Sequence, residues 1–354
     1  MKVLTIIGAR PQFIKAAIVS RAFKEYRPDV QEFIVHTGQH YDANMSDVFF
    51  DELDIPKPDY NLGIGGGTHG QNTGRMIEKL ESLMMEVQPQ WVLVYGDTDS
   101  TLAGALAAAK LHIPIAHVEA GLRSFNMQMP EEINRILTDQ MSTILFCPTQ
   151  LAVENLRQEG FDKKPVQFLN AGDVMQDSAL YFADRATKPE AFDLAGEFVL
   201  ATLHRAENTD NNERLASIVA ALNQIHTTIA PVVLPLHPRT RSLLKKHGLT
   251  LNVKLIEPVG YLEMIWLLQR ASIVLTDSGG VQKEAFFFGK ACVTMRDQTE
   301  WVELVELNVN ELAGAETTAI VEAVRRSAGR HVNDDHGIYG GGHAAQRIVE
   351  CINK

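Results

Sequence analysis

The chain has 354 residues, 45% of them hydrophobic and 22% charged, a composition typical of a globular protein with room for two domains. Its net charge of −11 argues against nucleic acid or another polyanion as a partner for the whole surface. Cys147, Cys292 and Cys351 lie far apart, which argues against a zinc site and indicates a reducing compartment.

The beginning of the chain, MKVLTIIGARPQ, has the pattern of a first strand rather than of a signal peptide. No segment of the sequence approaches the roughly 20 apolar residues of a membrane span. These features predict a cytoplasmic protein without a membrane partner.

Short apolar segments alternate with helical patterns along the whole chain. The first set of predicted strands is KVLTIIG, EFIVHTG, WVLVYGD, IPIAHVE and STILFCPT, with amphipathic helices between them. A second set begins near residue 165 with PVQFLNAGD and continues with GEFVLATLHRAEN, PVVLPLHP, NVKLIEP, SIVLTDSGG and KACVTMRD. This alternation predicts an α/β fold with two Rossmann-like domains that face each other across a cleft.

The predicted domains divide the polar residues into two groups. Residues 1–170 form the first domain, with acidic strand ends, and residues 171–354 form the second, with cationic ones. The last helix, in GHAAQRIVECINK, is predicted to pack back on the first domain.

The first strand ends in GARPQFIK, where a glycine turn precedes a helix. Such a turn is an anion site, and Arg10 would add further donors. The alternative is an arginine that only caps a loop. The segment lacks the G-x-G-x-x-G pattern, which argues against a nicotinamide-dependent dehydrogenase.

Carboxylates follow two later strands of the first domain. Asp97 and Asp99 come after WVLVY, and Glu119 comes after IPIAHV. Glu131 opens the helix PEEINRIL, where an acid is also ordinary as a helix-capping group. If Asp97, Glu119 and Glu131 converge, their mutual repulsion suits one to accept a proton and another to donate one.

The strand ends of the second domain carry cations and small residues. Ser-Gly-Gly before a helix lets a backbone cradle approach a phosphate, although an isolated Ser-Gly-Gly can also be a plain turn. Glu284, one turn further, could bind the hydroxyls of a ribose. A nucleoside diphosphate joined to a neutral or acidic group is therefore expected between the two domains. The residues of the second domain predicted to bind it are His204, Arg205, His237, Arg239, Ser278, Gly279, Gly280 and Glu284.

Seven segments, in this order, resemble the non-hydrolysing UDP-N-acetylglucosamine 2-epimerases: GARPQ, HTGQHYDANM, GDTDSTLAGA, HVEAGLRS, PEEINR, HRAEN and TDSGGVQKEA. The resemblance covers nearly the whole chain. It implies a glycosyltransferase-B type fold with UDP in the cleft, no metal or other cofactor, and a homodimer. It also implies interconversion of UDP-GlcNAc-type and UDP-ManNAc-type sugars for cell-surface polysaccharide precursors.

The mechanism implied by the resemblance is an elimination followed by a re-addition. A base removes the C2 proton while UDP leaves C1, a 2-acetamidoglucal forms, and UDP adds back after protonation of the other face. Carried over by motif, Asp97, Glu119 and Glu131 are the acid/base groups, with their individual roles open, and His204 assists the departing diphosphate. Arg10, Ser278, Gly279, Gly280 and Glu284 match nucleotide-binding positions.

Three segments depart from the usual family pattern. GARPQ replaces GTRPE, Asp173 replaces an asparagine, and Trp301-Val302 replaces Arg-Pro. The variant pattern resembles a branch that acts on UDP-2,3-diacetamido-2,3-dideoxyglucuronate. Both substrates stay open, with a slight preference for UDP-GlcNAc.

Other functions and a regulatory site also follow as hypotheses. A UDP-sugar-dependent glycosyltransferase, a hydrolysing epimerase and a non-catalytic nucleotide-sugar sensor are the alternatives. Bacterial family members can be activated by a second UDP-sugar. The residues predicted for such allosteric binding are Gln39 and His40 in HTGQHYDANM, and His69 and Gln71 in GTHGQ.

Overall fold

The computed structural model describes residues 1–38, 57–190, 192–334 and 337–352. The chain forms two compact units, one made of Met1–Ser178 with Gly337–Lys354, the other of Ala179–His336. Each unit contains a parallel sheet with helices between its strands, which confirms the predicted α/β class. None of the helices in these ranges has the length and apolar character needed to cross a bilayer.

The first unit is built on a seven-stranded sheet with the strand order β3-β2-β1-β4-β5-β6-β7. Its central strands are apolar runs buried on both faces, because helices cover a parallel sheet from both sides. The strands are β1 (Lys2–Ile7), β2 (Gln31–His36), β3 (Tyr60–Asn61), β4 (Trp91–Tyr95), β5 (Ile115–Val118), β6 (Ile144–Cys147) and β7 (Gln167–Asn170).

The helices that follow these strands begin at ordinary capping residues. The hydroxyls of Thr68, Thr98 and Thr149 each accept a backbone N–H from the first turn of a helix. The helices are α1 (Arg10–Tyr26), α2 (His69–Val87), α3 (Asp99–Lys110), α4 (Pro130–Met141), α5 (Gln150–Gln158) and α6 (Val174–Ala183), with a short 3-10 turn at Phe161–Lys163.

The second unit is built on a six-stranded parallel sheet. Its strand order is β10-β9-β8-β11-β12-β13, with β8 (Val199–Thr202), β9 (Val232–Pro235), β10 (Lys254–Ile256), β11 (Ile273–Thr276), β12 (Ala291–Thr294) and β13 (Asn310–Leu312). Its helices are α7 (Ala206–Thr209), α8 (Asn212–Thr228), α9 (Pro238–Lys246), α10 (Tyr261–Arg270), α11 (Gly279–Phe287), α12 (Val302–Glu306) and α13 (Thr317–Ser327).

The segment PVQFLNAGD lies in the first sheet, so its placement at the start of the second set of strands was wrong. Strand β7 within this segment pairs in parallel with β6, from Ile144↔Gln167 to Cys147↔Asn170. An apolar strand has the same residue pattern in either sheet, and only its pairing decides between them. Strands β3 and β13 have two and three residues and are too short to show a periodicity.

The last helix, α14 (Ala344–Cys351), belongs to the first unit. The carboxylate of Asp177 accepts the N–H groups of Ala344 and Ala345 at its beginning. The Arg27 guanidinium, after α1, donates to the carbonyls of Val349 and Ile352 at its end. Both ends of the helix are therefore held by side chains of the first unit.

Both sheets place the beginnings of several helices at one edge. In the first sheet the strand order reverses between β1 and β4, and in the second between β8 and β11. Ligands of open parallel sheets bind beyond the carboxyl ends of strands at such a reversal. The polar residues predicted as functional follow these strands.

Candidate active site

A cavity of about 260 Å³ opens at the reversal point of the first sheet. Its wall comes from the segments after β1 and β4 and from the beginnings of α2 and α4. Asp97 and Glu131, two of the three predicted acid/base groups, line it. The full lining is Ala9, Pro11, Gln12, Lys15, His69, Tyr95, Gly96, Asp97, Thr98, Asp99, Pro130, Glu131 and Asn134.

Glu119, the third predicted acid/base group, reaches this wall through a lysine. Its carboxylate contacts the Nζ of Lys15, which lines the cavity and lies on α1. Glu119 has a φ of 69°, in the left-handed region that a non-glycine residue avoids. Such a conformation costs of order 1–3 kcal/mol and is concentrated at functional sites. Sequence reasoning did not identify Lys15, because its partner lies 104 positions away.

Asp97 is held by an arginine of α4. The guanidinium of Arg135 contacts Asp97 and also lies 2.6 Å from the carboxylate of Glu132. Glu132 accepts the N–H groups of Ser124 and Phe125 as well. Burial raises the pKa of Glu132, but these amides and the charge of Arg135 outweigh it, so the net shift is downward. Glu132 therefore stabilises the loop before α4, while Glu131 lines the cavity.

Asp99 links a histidine to the same network. His69 Nδ1 lies 2.9 Å from Asp99 Oδ2, and Asn134 Nδ2 lies 3.3 Å from Asp99 Oδ1. The same amide of Asn134 donates to the Asp97 carbonyl at 2.9 Å. His69, predicted as a regulatory residue, thus lies in the wall that contains Asp97 and Glu131.

The other predicted regulatory residues have separate surroundings. The side chain of Gln71 accepts the N–H of Thr68 and completes the N-terminal cap of α2. Gln39 and His40 lie outside the described residues. Their regulatory role stays a prediction.

The loop after β1 is tightly packed where Gly8 meets α3. A Cβ on Gly8 would clash with Ser100 Oγ and Thr37 Oγ1, so any larger residue would force these two side chains to move. Gln12 Oε1 accepts the N–H groups of Gly8 and Ala9, and its Nε2 donates to the Tyr95 carbonyl. Gln12 therefore ties the loops after β1 and β4 together. Arg10 begins α1, and its side chain lies outside the described part.

A fully buried histidine fixes the strand end that carries Glu119. His117 Nδ1 lies 2.7 Å from Asp139 Oδ1, and its Nε2 lies 2.7 Å from the Gly96 carbonyl oxygen. Both neighbours are hydrogen-bond acceptors, so each ring nitrogen faces a group to which it can donate when it carries a proton. Arg123 lies 2.8 Å from the other oxygen of Asp139. Burial raises the pKa of Asp139, but the hydrogen bond and charge of His117 and the charge of Arg123 lower it overall.

In the second unit, Asp277 organises the residues after β8 and β11. Its buried carboxylate accepts the N–H groups of His204 and Arg205, and His204 Nδ1 lies 3.4 Å from it. Burial lowers the pKa of the His204 imidazole below its ordinary value. Asp277 opposes this shift, while the nearby charges of Arg205 and His237 add to it. His204 is therefore neutral at neutral pH.

The Ser-Gly-Gly segment lies beside Arg205. A Cβ on Gly279 would lie 2.3 Å from Glu300 Oε1 and 3.5 Å from the Arg205 guanidinium, whereas a Cβ on Gly280 would face open space. The Glu300 carboxylate lies 2.9 Å from Arg296. No side chain of the described residues blocks access to the backbone at Gly280, near the start of α11, and an anion-binding backbone segment requires such access.

The remaining predicted binding residues of this unit are partly dispersed. Glu284 is buried on α11, and Ser278 precedes this helix. His237 caps α9, where its Nδ1 accepts the N–H of Arg239. The guanidinium of Arg239 lies 2.5 Å from exposed Asp210, so the structure pairs it with a surface carboxylate.

Two of the unusual sequence positions have structural roles. The Asp173 carboxylate accepts the N–H of Met175 at the beginning of α6. Trp301 is 4% exposed, and the Lys283 ammonium lies 3.9 Å from the centre of its ring. Within the described ranges, no group of three or more His, Cys, Asp or Glu residues is arranged to hold a metal ion.

The chain has two parallel sheets with helices between their strands, and charged side chains gather after the central strands of each sheet. This arrangement is typical of an α/β enzyme. The family model for UDP-N-acetylglucosamine 2-epimerase matches residues 22–353. The chain is 66% identical over 354 residues to the UDP-2,3-diacetamido-2,3-dideoxy-D-glucuronate 2-epimerase of Pseudomonas aeruginosa, with 100% of both proteins covered.

Solved structures of epimerases share this fold along their whole length. The UDP-GlcNAc 2-epimerase of Methanocaldococcus jannaschii in complex with UDP-GlcNAc and UDP is 42% identical, with a TM-score of 0.88 and 99% of each chain covered. The Neisseria meningitidis enzyme bound to UDP-GlcNAc is 32% identical, with a TM-score of 0.87 and 99% of each chain covered. The chain belongs to the UDP-N-acetylglucosamine 2-epimerase family and is an isomerase.

Proposed function

We propose that the protein is the non-hydrolysing 2-epimerase of UDP-2,3-diacetamido-2,3-dideoxyglucuronate. The 66% identity to the Pseudomonas aeruginosa enzyme over the full chain carries this choice, against 42% for the UDP-GlcNAc enzyme of Methanocaldococcus jannaschii. The slight preference for UDP-GlcNAc from sequence is therefore replaced by the alternative substrate. We further expect a cytoplasmic homodimer whose product enters cell-surface polysaccharide synthesis.

The first unit would supply the proton chemistry. A carboxylate takes the C2 proton, the C1–O bond breaks with its electron pair passing to the diphosphate, and a C1=C2 double bond forms. A second acidic residue, in its protonated carboxylic acid form, then donates its proton to C2 on the other face, and the diphosphate oxygen adds back to C1. The cavity lined by Asp97 and Glu131, with Glu119 held on Lys15, supports a site with several proton carriers.

The second unit would hold the nucleotide. The open backbone at Gly280 and the guanidinium of Arg205 suit a diphosphate, and Glu284 suits a ribose. His204 would donate a hydrogen bond to the leaving diphosphate once the bound negative charge has favoured protonation of its ring, with Asp277 holding its position.

The test is to follow the purified protein by NMR with two substrates separately, the diacetamido uronate and UDP-GlcNAc. The proposed function requires inversion at C2 of the uronate while the product keeps its UDP. Release of free sugar would identify a hydrolysing epimerase instead. Conversion of UDP-GlcNAc alone would reject the uronate as substrate.

The pKa of His204 should rise when UDP binds, because the diphosphate charge stabilises the imidazolium. Histidine-labelled protein titrated by NMR with and without UDP measures this shift. His204→Gln assigns the signal, and His247, at the end of α9, serves as a histidine that UDP should leave unchanged. An unchanged or lower pKa of His204 with bound UDP would remove it from the diphosphate site.

A further inference from the structure

The sugar of the proposed substrate carries a negative charge, and the cavity of the first unit is lined by acidic side chains that would repel it. Asp97, Asp99 and Glu131 line this cavity, and the uronate has a carboxylate at C6. Like charges at short range repel each other strongly where water is partly excluded. A cationic donor in the wall would offset this repulsion by binding the carboxylate of the sugar.

Among the described side chains of this wall, two can carry a positive charge, Lys15 and His69. Lys15 is buried and in contact with Glu119, so it already neutralises an acid of the site. The His69 side chain is 71% exposed, and its Nδ1 faces Asp99. Its Nε2 has no hydrogen-bond partner among the described residues.

The orientation of the His69 ring is fixed by its position on α2 and by its contact with Asp99. It is the first residue of α2, directly after the capping residue Thr68. Its partner Asp99 is 5% exposed and also bonded to Asn134, so this carboxylate has little freedom to move. With Nδ1 donating to Asp99, Nε2 lies on the opposite edge of the ring, and it donates a hydrogen bond when the ring holds both protons.

We propose that His69 is the residue that selects the uronate, by donating from Nε2 to the C6 carboxylate of the sugar. This inference rests on the proposed function, since only a sugar acid offers such an acceptor at C6. It assigns His69 a direct contact with the substrate in place of the predicted regulatory role. Asp99 acts as a positioning residue that holds the ring.

The experiment compares two substrates that differ only at C6, the uronate and UDP-2,3-diacetamido-2,3-dideoxyglucose, which carries a hydroxymethyl group there. His69→Gln should lower kcat/KM for the uronate about 10- to 100-fold, mainly through KM, because a charge-assisted hydrogen bond is lost. The same variant should change kcat/KM for the hydroxymethyl sugar less than about threefold. His69→Arg should keep the preference for the uronate, and His247→Gln is the matched control with wild-type kinetics.

Each outcome separates the two proposals. Suppose that the wild-type protein converts the uronate. If His69→Gln then lowers the activity on both sugars equally, or leaves the activity on both unchanged, the assignment of His69 is wrong while the proposed function stands. Loss of activation by a second UDP-sugar with an unchanged preference would favour the regulatory role and also reject the contact. If the wild-type protein does not convert the uronate, the proposed function fails, and with it the selection by His69.

Discussion

Glu119→Gln should abolish exchange of the sugar C2 proton with solvent while UDP still binds. The substitution keeps the shape of the side chain but removes the carboxylate that contacts Lys15 beside the cavity. General acid/base groups contribute about 10²- to 10⁴-fold to rate, so kcat should fall by at least that range. The measurement is deuterium uptake at C2 from D2O, followed by NMR, together with UDP affinity by calorimetry.

The result must separate chemistry from folding. Glu119→Gln leaves the buried ammonium of Lys15 without its carboxylate, so a modest loss of stability is expected as well. Retained UDP binding shows that the protein remains folded. Glu154→Gln, an exposed glutamate on α5 of the same unit, should keep full exchange. Deuterium uptake at the wild-type rate in Glu119→Gln would show that this carboxylate does not handle the C2 proton.

The placement of Asp97 and Glu119 shows what a sequence pattern can predict. Both follow apolar runs that become the neighbouring parallel strands β4 and β5. Carboxyl ends of parallel strands lie at one edge of a sheet, so adjacency in the sheet could be inferred from the alternation of strands and helices alone. Asp277, which follows β11 next to β8, lies beside His204 for the same reason.

The partners of these residues could not be predicted in the same way. Lys15 has the sequence context of a helix-surface lysine, and only the packing of α1 brings it to Glu119. Arg135 follows the acids of α4 within one turn, which suggests a local pair with Glu132 but not its contact with Asp97. Such contacts depend on how helices sit on the sheet, which local periodicity does not encode.

His117 illustrates a residue whose role sequence reasoning missed. It occupies an interior position of an otherwise apolar strand, where its neighbours give no sign of a charge. The signal available was Asp139, one of two acids on the buried side of α4, together with Arg123, which lies between His117 and Asp139 in the sequence. Buried polar residues of opposite sign on adjacent elements indicate a network, although the sequence cannot specify the pairing.

Asp139→Asn should be among the most destabilising single substitutions in the first unit. Asp139 and His117 have fully buried side chains, and Arg123 is 1% exposed. Asparagine removes the buried negative charge from beside His117 and leaves Arg123 with Glu159 as its carboxylate partner, at a cost of about 3–5 kcal/mol in the free energy of unfolding. Urea denaturation measures this loss. Asp29→Asn is the control, because Asp29 pairs with Arg27 at 2.9 Å but lies at the surface.

The pH dependence of the stability difference between wild type and Asp139→Asn identifies the origin of that difference. The pKa of Asp139 is lowered in the folded state, so its contribution is fully present above the ordinary pKa of an aspartate, about 3.9. The contribution is lost as the pH falls through the lower folded pKa, and the stabilities of wild type and Asp139→Asn should converge there. Because His117 also bonds to the Gly96 carbonyl, next to Asp97, the variant should lose kcat even where it is folded. A loss of stability no larger than that of Asp29→Asn would mean that the network is not what holds Glu119 and Asp97 at the cavity.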